Sequence, residues 1–409
     1  MQQKWKIVAV LFVISIVNYG NRAAIASVFP LLRADFALSD VMLAGLGSAF
    51  LWSYAVGSPI AGYLADRVSR TRLLLLSLIA WSVVMALTGF VHNEIVLLAM
   101  RVLLGVAECA YLPASVALIA DHHGPDTRAT AMGIQLAGLN IGLMAGSAIA
   151  GYLGEHFGWR VDFFILGCAG LVLTPIAAMV LRDAPRSQSP RELPPDWRDV
   201  GQLLRMPAYV AVVSGAMLIS ISTWVFLNWL PLFFYDRFHL SLALAGLSGS
   251  SMLQLAAIAG AVLGGYLSDR LAGGSQRRRI LLLSIGYFCA APFLLTFLWQ
   301  TPLGVINISI FLSSLVRTTG SAGESPVICE LAGPRLRATA LSILNMMNCF
   351  AGGLGIMCAG LLRRSYGLET VFGSLTVTVA GAGVVVLIGY YLLARQERMQ
   401  HSPTVDHLA

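Results

Sequence analysis

Five charged residues interrupt apolar stretches of this chain that are each long enough to cross a membrane. They are Arg22, Arg101, Glu108, Arg317 and Glu324. An unpaired charge at the centre of a bilayer costs about 2.5–3.5 kcal/mol on insertion scales, so such residues are functional candidates. Arginine binds a carboxylate through two parallel hydrogen bonds, and a glutamate at low dielectric responds to charges that arrive beside it. Three arginines against two glutamates predict a cationic cavity that suits carboxylates better than amines.

The charged residues also show a repeated spacing. Arg101 and Glu108 are seven residues apart, and Arg317 and Glu324 repeat that spacing 216 residues later. Seven residues are two helical turns, so the members of each pair share one helix face. Two interpretations stay open: each arginine pairs with its own glutamate as a structural unit, or these residues bind substrate and protons. Arg22 has no acidic neighbour in its own stretch, and we expect it to be unpaired.

The composition places these residues in a membrane protein. The 409 residues are 57% hydrophobic and 11% charged, whereas an ordinary soluble domain carries about 25% charged residues. Only helices and closed barrels satisfy the backbone in lipid, and the sequence lacks strand-like alternation. We therefore predict an all-α membrane protein with twelve transmembrane helices. The predicted spans 1 to 12 are 7–30, 41–64, 72–91, 95–119, 130–153, 160–181, 208–235, 243–267, 280–298, 303–329, 338–362 and 368–393.

Two longer motifs recur and indicate a duplicated chain. Segment 61–67 (AGYLADR) reappears at 264–270 (GGYLSDR), and segment 124–131 (GPDTRATA) reappears at 333–340 (GPRLRATA). Transporters built from two such parallel repeats bind substrate between the halves, near the midplane. The predicted organisation follows in chain order. It comprises a six-helix bundle over 1–181, a cytoplasmic linker over 182–207, a second six-helix bundle over 208–398 and a disordered cytoplasmic tail over 399–409.

The net charge of +7 is explained by topology. With both termini in the cytoplasm, 19 of the 27 lysines and arginines fall in cytoplasmic segments, five fall on the opposite side and three fall inside spans. This asymmetry follows the positive-inside rule. It predicts a multi-pass protein of the bacterial inner membrane and argues against a nucleic-acid partner. The six cysteines all lie in predicted spans without metal-ligand spacing, which is typical of small buried hydrophobic residues.

The chemistry of enzymes is missing from the sequence. Neither a phosphate-binding glycine loop nor a nucleophile–base arrangement is present, and the seven histidines fall in loops or the tail. We therefore expect no enzymatic activity, no cofactor and no metal. The expected partners are a small organic anion, protons and the lipid bilayer, and the expected state is a monomer.

The loop between spans 2 and 3 carries a recognisable signature. It reads Gly62-Tyr-Leu-Ala-Asp66-Arg67-Val-Ser69-Arg70-Thr-Arg72 and resembles the signature loop of the major facilitator superfamily, with Ser69 where a second glycine is usual. An aspartate here can accept hydrogen bonds from the start of a helix in the other half, where the helix dipole favours an anion. Nearby arginines can pair with acids, so the loop and its repeat predict a cytoplasmic latch. The predicted latch residues are Asp66, Arg67, Arg70, Arg128, Asp269, Arg270 and Arg337.

Three spans narrow the resemblance to one family. Span 1 carries Asn18-Tyr19-Gly-Asn21-Arg22, span 4 carries the segment 101–108 (RVLLGVAE), and span 11 carries Asn345 and Asn348. These patterns resemble the anion:cation symporter family, which includes sugar-acid permeases. The resemblance implies that Arg22 anchors the substrate carboxylate and that Tyr19 is a hydrogen-bond partner of the substrate. It also implies that the span 4 glutamate carries the proton beside the span 4 arginine, and that a span 11 asparagine contacts substrate.

One position departs from that family. An aspartate usually precedes the span 1 arginine, whereas this chain has Asn21. A proton-binding carboxylate is therefore lost, and Glu324 with Arg317 beside it is the candidate that compensates. Gln135 and Asn228 are further candidates for substrate contact, with hydrogen bonding between helices as the equal alternative.

Three function classes follow from this pattern. The first is proton-coupled uptake of a small organic anion, a sugar acid or another carboxylate, by alternating access. The second is export of an amphiphilic compound by a carrier that resembles the spinster-like lipid transporters or the drug:proton antiporters. The third is a membrane sensor of the same fold. A polar, arginine-lined cavity favours the first class, and a wide cavity with aromatic lining that opens laterally favours the second.

Overall fold

The computed structural model describes residues 3–183, 197–273 and 275–401. These residues fold into helices joined by short connections, because in lipid each helix must satisfy its own backbone hydrogen bonds. Half of the predicted linker (184–196) and most of the predicted tail (402–409) lie outside the described residues. The helices in chain order are Gln3–Ser27, Phe29–Phe36, Asp40–Arg67, Arg70–Thr88, Glu94–Glu108, Tyr111–His122, Pro125–Phe157, Trp159–Val180, Trp197–Arg205, Pro207–Phe238, Leu242–Ala272, Gln276–Ala290, the 3-10 helix Ala291–Leu298, Leu303–Ser321 and Glu324–His401.

Three of the predicted spans are built from two helical pieces. Span 4 is broken by a turn at Cys109 and Ala110. Span 9 changes from α-helix to 3-10 helix at Ala291. Span 10 passes through a turn at Ala322 and Gly323 before the last helical run begins. Breaks of this kind inside spans are tolerated where neighbouring helices and side chains satisfy the freed backbone groups.

The last helical run contains the end of span 10 and the whole of spans 11 and 12. Eleven stretches of the described residues are long and apolar enough to cross a membrane, and the last of them, Thr339–Arg395, has 57 residues. At 1.5 Å per residue that stretch would be roughly 85 Å long, far more than one crossing. Gly367 divides it into two arms because its backbone angles (φ 75°, ψ 163°) are not helical. Gly333 (φ 70°, ψ 169°) divides span 10 from span 11 in the same way, so the predicted twelve-span fold is confirmed.

Polar caps fix where several spans begin. The side chains of Ser39, Ser69 and Asn93 accept hydrogen bonds from backbone N–H groups two or three residues further along the chain. Such caps satisfy orphan donors of the first helical turn and typically contribute about 1 kcal/mol each. The Asn93 cap therefore fixes the start of span 4, the span that carries Arg101 and Glu108.

The helix bounds correct one equivalence between the halves. Glu108 lies fourteen residues after the start of span 4 at Glu94, and Arg317 lies fourteen residues after the start of span 10 at Leu303. The glycine before the next span keeps the same offset in both halves. Gly124 lies sixteen residues after Glu108, and Gly333 lies sixteen residues after Arg317. Glu108 and Arg317 therefore occupy equal depths. The predicted match of the two arginine–glutamate pairs is out of register by two helical turns, about 10 Å.

The two halves are packed tightly at the end of the molecule away from the termini, which we call the far end. A Cβ atom at Gly151 of span 5 would lie 2.3 Å from the carbonyl oxygen of Leu242 at the start of span 8. A Cβ atom at Gly360 of span 11 would lie 2.8 Å from the carbonyl oxygen of Asp40 in span 2. Only glycine permits such close backbone approach. The far end is therefore closed.

The seam of hydrogen bonds between the halves ends part of the way through the protein. From the far end inward, Ser48 donates to the carbonyl oxygen of Gly353 (2.7 Å) and Trp52 donates to that of Phe350 (3.2 Å). Asn345 donates to Ser58 at 3.4 Å, the deepest such bond among the described side chains. Nearer the end that carries the termini, a Cβ atom at Gly62 would meet nothing within 4 Å.

Candidate functional site

A buried ion pair joins spans 1 and 4 at the centre of the first half. Arg22 Nε donates to Glu108 Oε2 at 2.8 Å. Arg22 is 9% exposed and Glu108 is fully buried. The expectation that Arg22 is unpaired is therefore wrong: its partner lies 86 residues away on another span rather than on its own. A buried pair of this kind is costly to break by removing one member, because the other is left as an uncompensated charge.

Aromatic rings surround the guanidinium of Arg22. Its central carbon lies 4.3 Å from the ring centre of Tyr19, 4.7 Å from that of Tyr54 and 5.3 Å from that of Phe50. Asn18 accepts a hydrogen bond from Nη2 at 3.4 Å. Rings this close stabilise a cation, and the effect grows when the site is desolvated. Tyr19 is thus placed at the predicted anchor, whereas Tyr54 and Phe50 are site residues that sequence reasoning missed.

Arg101 lies in the same cluster without an acidic partner. Its Nε donates to the carbonyl oxygen of Leu46 at 3.2 Å, and its guanidinium carbon lies 5.0 Å from the ring centre of Phe50. Arg101 Nη1 and Glu108 Oε1 are buried and have no hydrogen-bond partner among the described residues. Of the two interpretations left open, the structural pairing of Arg101 with Glu108 is therefore not found among the described residues. Buried unpaired polar atoms cost about 1–3 kcal/mol each, and such atoms cluster at functional sites.

The second half holds Arg317 and Glu324 on separate partners. Arg317 donates to Thr223 Oγ1 at 3.0 Å and to Ser314 Oγ at 3.5 Å. Glu324 Oε2 accepts a hydrogen bond from the hydroxyl of Tyr287 at 3.0 Å. Both residues are described, and no ion pair within 4.0 Å joins them. The structural pairing of the second arginine with its own glutamate is likewise not found.

The remaining substrate candidates fall into two places. Gln135 donates to Ser115 inside the first half. Asn228 lies in the far-end seam, where a Cβ atom at Gly47 would come within 2.4 Å of its side-chain oxygen. Both positions fit contacts between helices, and their roles toward substrate stay predictions.

The two span 11 asparagines lie close to the first half. Asn345 reaches Ser58 across the seam, and the side-chain oxygen of Asn348 is buried without a partner among the described residues. Span 11 of the second half therefore packs against span 2 of the first half.

The predicted latch is described only in part. Arg70 contacts Asp121 and the carbonyl oxygen of Ala117. Arg128 donates hydrogen bonds to the carbonyl oxygens of His123 and Ala120. Arg67 lies over the ring of Tyr63, and Arg270 contacts Tyr266. Each of these partners belongs to the same half as its arginine. Arg337 is exposed. The side chains of Asp66 and Asp269 lie outside the described residues, so their contacts across the halves stay predictions.

Sequence reasoning missed a network of ion pairs at the far end. Arg363 of span 11 donates to Asp40 of span 2 at 2.6 Å and to Asp236 of span 7 at 2.7 Å, and Arg33 donates to Asp40 at 2.5 Å. The network crosses between the halves. The sequence offered a signal, because opposite charges fall in the far-end loops, but it does not show which pairs meet.

A second far-end contact holds the first half together. Asp35 accepts hydrogen bonds from Trp159 Nε1 at 3.0 Å and from Arg160 Nη1 at 2.7 Å. These bonds lower the pKa of Asp35 below its usual value, because each stabilises the charged form. The carboxylate therefore ties the short helix after span 1 to the start of span 6.

Comparisons with known proteins identify the family. The family model described as Major Facilitator Superfamily matches residues 11–276 and 249–407. A probable galactarate/D-glucarate transporter of Bacillus subtilis is 27% identical over 297 residues, which are 66% of this chain and 65% of that protein. An MFS-type efflux pump of Mycolicibacterium smegmatis is 25% identical over 406 residues, 97% of this chain and 94% of that protein. The match to the first relative thus spans about two thirds of its length.

A solved structure shows the same fold. It is the crystal structure of a bacterial homolog to the human lysosomal transporter Spinster in an inward-facing and unoccupied conformation. The likeness has a TM-score of 0.79 at 21% identity and covers 99% of this chain and 100% of that one. The family model covers both halves, and the fold agrees with it. The chain therefore belongs to the Major Facilitator Superfamily and is a multi-pass membrane transporter rather than an enzyme.

Proposed function

We propose that this protein takes up a small organic anion, a sugar acid or another carboxylate, together with protons by alternating access. The observation that carries the proposal is the buried Arg22–Glu108 pair of spans 1 and 4, with Arg101 beside it and the aromatic rings around it. Two arginines against one glutamate give this cluster a net positive charge when all are ionised. The similarity to a probable galactarate/D-glucarate transporter supports a sugar acid as the substrate.

The ion pair suggests how protons and substrate are coupled. When Glu108 is ionised, it occupies Arg22 and competes with a substrate carboxylate for the same donors. A proton on Glu108 removes that competition, so Arg22 becomes available for two hydrogen bonds to the substrate. Loss of the proton on the other side restores the ion pair and expels the anion. Substrate and proton therefore move in the same direction, with no covalent step.

The closed far end defines the direction of opening in this conformation. We infer from the distribution of lysines and arginines that both termini are cytoplasmic in a bacterial inner membrane. The far end is then periplasmic and the conformation is inward-facing. The Asp40–Arg363–Asp236 network acts as the outer gate, because its bonds must break before the halves can separate on that side.

Substitution of Arg363 by glutamine is expected to shift the protein toward the outward-open state. The variant loses both charge-assisted bonds to Asp40 and Asp236, which are partly exposed, so the shift is about fivefold in population, or ~1 kcal/mol. The measurement is labelling of Ser48→Cys in a cysteine-free background by a membrane-impermeant maleimide added from the periplasmic side. Labelling should become faster in Arg363→Gln and stay unchanged in the neighbouring control Arg364→Gln. If Arg363→Gln and Arg364→Gln are labelled at the same rate, the network is not the outer gate.

A second candidate function is export of an amphiphilic compound, as in a spinster-like lipid carrier or a drug:proton antiporter. The observation that favours it is the match to an efflux pump along 97% of this chain. The aromatic rings around Arg22 also suit an amphiphile. The buried arginines do not suit a cationic drug, however, because like charges repel at low dielectric.

Ligand-induced thermal stabilisation of the purified protein separates the two functions. A ligand that binds the folded state at 100 times its Kd stabilises it by about 2.7 kcal/mol. We expect sugar acids such as galactarate to raise the melting temperature by a few degrees, and amphiphilic amines and lysolipids to leave it unchanged. If amphiphiles stabilise the protein and none of the tested acids does, export of an amphiphile is the function and uptake of an organic anion is not.

A further inference from the structure

A cavity of about 580 Å³ lies at the far end of the second half, separate from the Arg22–Glu108 cluster. Its volume falls within the roughly 300–1,000 Å³ of small-molecule sites. Its walls are the end of span 7 at Arg237, the end of span 9 at Leu298, the connecting residues 299–302 and the start of span 12 at Glu369. Since each of these spans begins or ends at the cavity, the cavity lies at the level of the membrane surface.

The cavity wall carries one cation and one anion that do not satisfy each other. Arg237 Nη1 lies 3.8 Å from Glu369 Oε1, and the two side chains are 16% and 45% exposed. That separation is beyond hydrogen-bonding distance, and Nη1 has no hydrogen-bond partner among the described residues. Both charged groups therefore keep bonding capacity for a ligand that itself carries both charges.

Hydrogen bonds hold the wall of the cavity in place. Arg237 Nη2 donates to the carbonyl oxygen of Trp299 at 3.1 Å, and the backbone N–H of Thr301 donates to the same oxygen at 2.8 Å. The hydroxyl of Thr301 donates to the carbonyl oxygen of Thr296 at 3.2 Å. The Trp299 side chain is left 60% exposed. An exposed indole face attracts an ammonium group, and tryptophan is typical of the boundary between membrane and water.

Apolar side chains continue from the cavity toward the hydrocarbon. Leu298 in its wall is 50% exposed, and Val305 and Ile308 of span 10 are 41% and 61% exposed. The two halves are in contact at this end of the molecule, so exposed apolar side chains here face lipid rather than a central opening. The cavity therefore has a charged upper part and an apolar edge that leads into the bilayer.

We propose that this cavity binds the head group of a zwitterionic phospholipid from the leaflet at the far end. The phosphate lies on Arg237, the ammonium group lies between Glu369 and the Trp299 indole, and the acyl chains pass over Leu298. A charge-assisted bond is available to each charge of the head group, whereas an anionic lipid without an ammonium group would bring only negative charge to Glu369. The lipid also contacts the last turn of span 7, which carries Asp236 of the outer gate.

The test compares two lipids that share their acyl chains and differ in charge. Native mass spectrometry measures binding of phosphatidylethanolamine (PE) and phosphatidylglycerol (PG) to the delipidated full-length protein in detergent. The charged groups are partly exposed, so we expect the wild type to bind PE about fivefold more tightly than PG. Glu369→Gln should lose this preference, because it weakens PE and no longer repels PG. Arg237→Gln should weaken both lipids, and the far-end control Arg364→Gln, an exposed position, should match the wild type.

The change of preference in Glu369→Gln is decisive, because a purely structural role of this partly exposed side chain would alter binding of both lipids alike. Equal binding of PE and PG by the wild type, or a preference for PE that survives in Glu369→Gln, would overturn the proposal even if Arg237→Gln does not fold. Soluble phosphoethanolamine is the third probe. If it displaces PE at concentrations similar to those of the whole lipid, the cavity takes a free solute and not a lipid.

Discussion

Replacement of Glu108 by glutamine is expected to abolish proton-driven accumulation of substrate while exchange of substrate across the membrane continues. Glutamine is neutral like the protonated glutamate, so the ion pair with Arg22 that the structure holds at 2.8 Å no longer forms. Arg22 is then always available to a carboxylate. Without a group that gains and loses the proton, binding and release cannot follow the pH gradient. Accumulation should fall to the level of simple equilibration.

The measurement for Glu108→Gln uses proteoliposomes with and without a pH gradient. Uptake of labelled substrate reports accumulation, and counterflow reports exchange. The matched control is Glu324→Gln. It removes the other glutamate that lies inside a span, together with the hydrogen bond that this glutamate accepts from Tyr287. We expect the control to keep accumulation. If Glu108→Gln accumulates substrate and Glu324→Gln does not, span 10 carries the proton and the assignment to span 4 is wrong.

Replacement of Arg22 by alanine is expected to weaken substrate binding by about 10- to 150-fold. The variant loses the carboxylate anchor, and a bond between charged groups contributes about 1.5–3 kcal/mol. It also leaves Glu108 buried without the cation that it bonds in the structure, which is costly. Arg22→Lys keeps the charge but loses the planar fork, so we expect an intermediate loss.

Binding affinity and folding are measured separately for Arg22→Ala. Size-exclusion chromatography in detergent checks that the variant is folded, and equilibrium binding of labelled acid gives its affinity. The arginine Arg364 is the control, because it is exposed at the far end. Saturable binding with near wild-type affinity in a folded Arg22→Ala protein would place the anchor elsewhere.

The sequence predicts the members of the site better than their contacts. Charges inside apolar spans are easily seen in the sequence, so Arg22, Arg101 and Glu108 could be singled out from their positions alone. The pairing could not be, because spacing reports only neighbours on one helix, and the only partner it offered for Glu108 was Arg101, as one of two open interpretations. The observed partner, Arg22, lies on another span, and only the packing of spans 1 and 4 brings the two together.

The twelve-span fold follows from hydrophobic length, but the register of the two halves does not. The repeated arginine–glutamate spacing placed Arg317 opposite Arg101, whereas the helix starts place it opposite Glu108. Far-end pairs such as Asp40 with Arg363 were also out of reach, since their residues lie 323 positions apart. The contacts of Asp66 and Asp269 across the halves stay predictions, because these side chains lie outside the described residues.

The coupling of anion and proton movement is the central claim, and one measurement tests it most directly. Wild-type protein is reconstituted into proteoliposomes with an interior at about pH 7.5 in a medium at about pH 6, and labelled galactarate is added outside. The account predicts accumulation above the external concentration, which a protonophore abolishes. Influx that only equilibrates and does not respond to the gradient, or a gradient that drives the acid outward as protons enter, would contradict it.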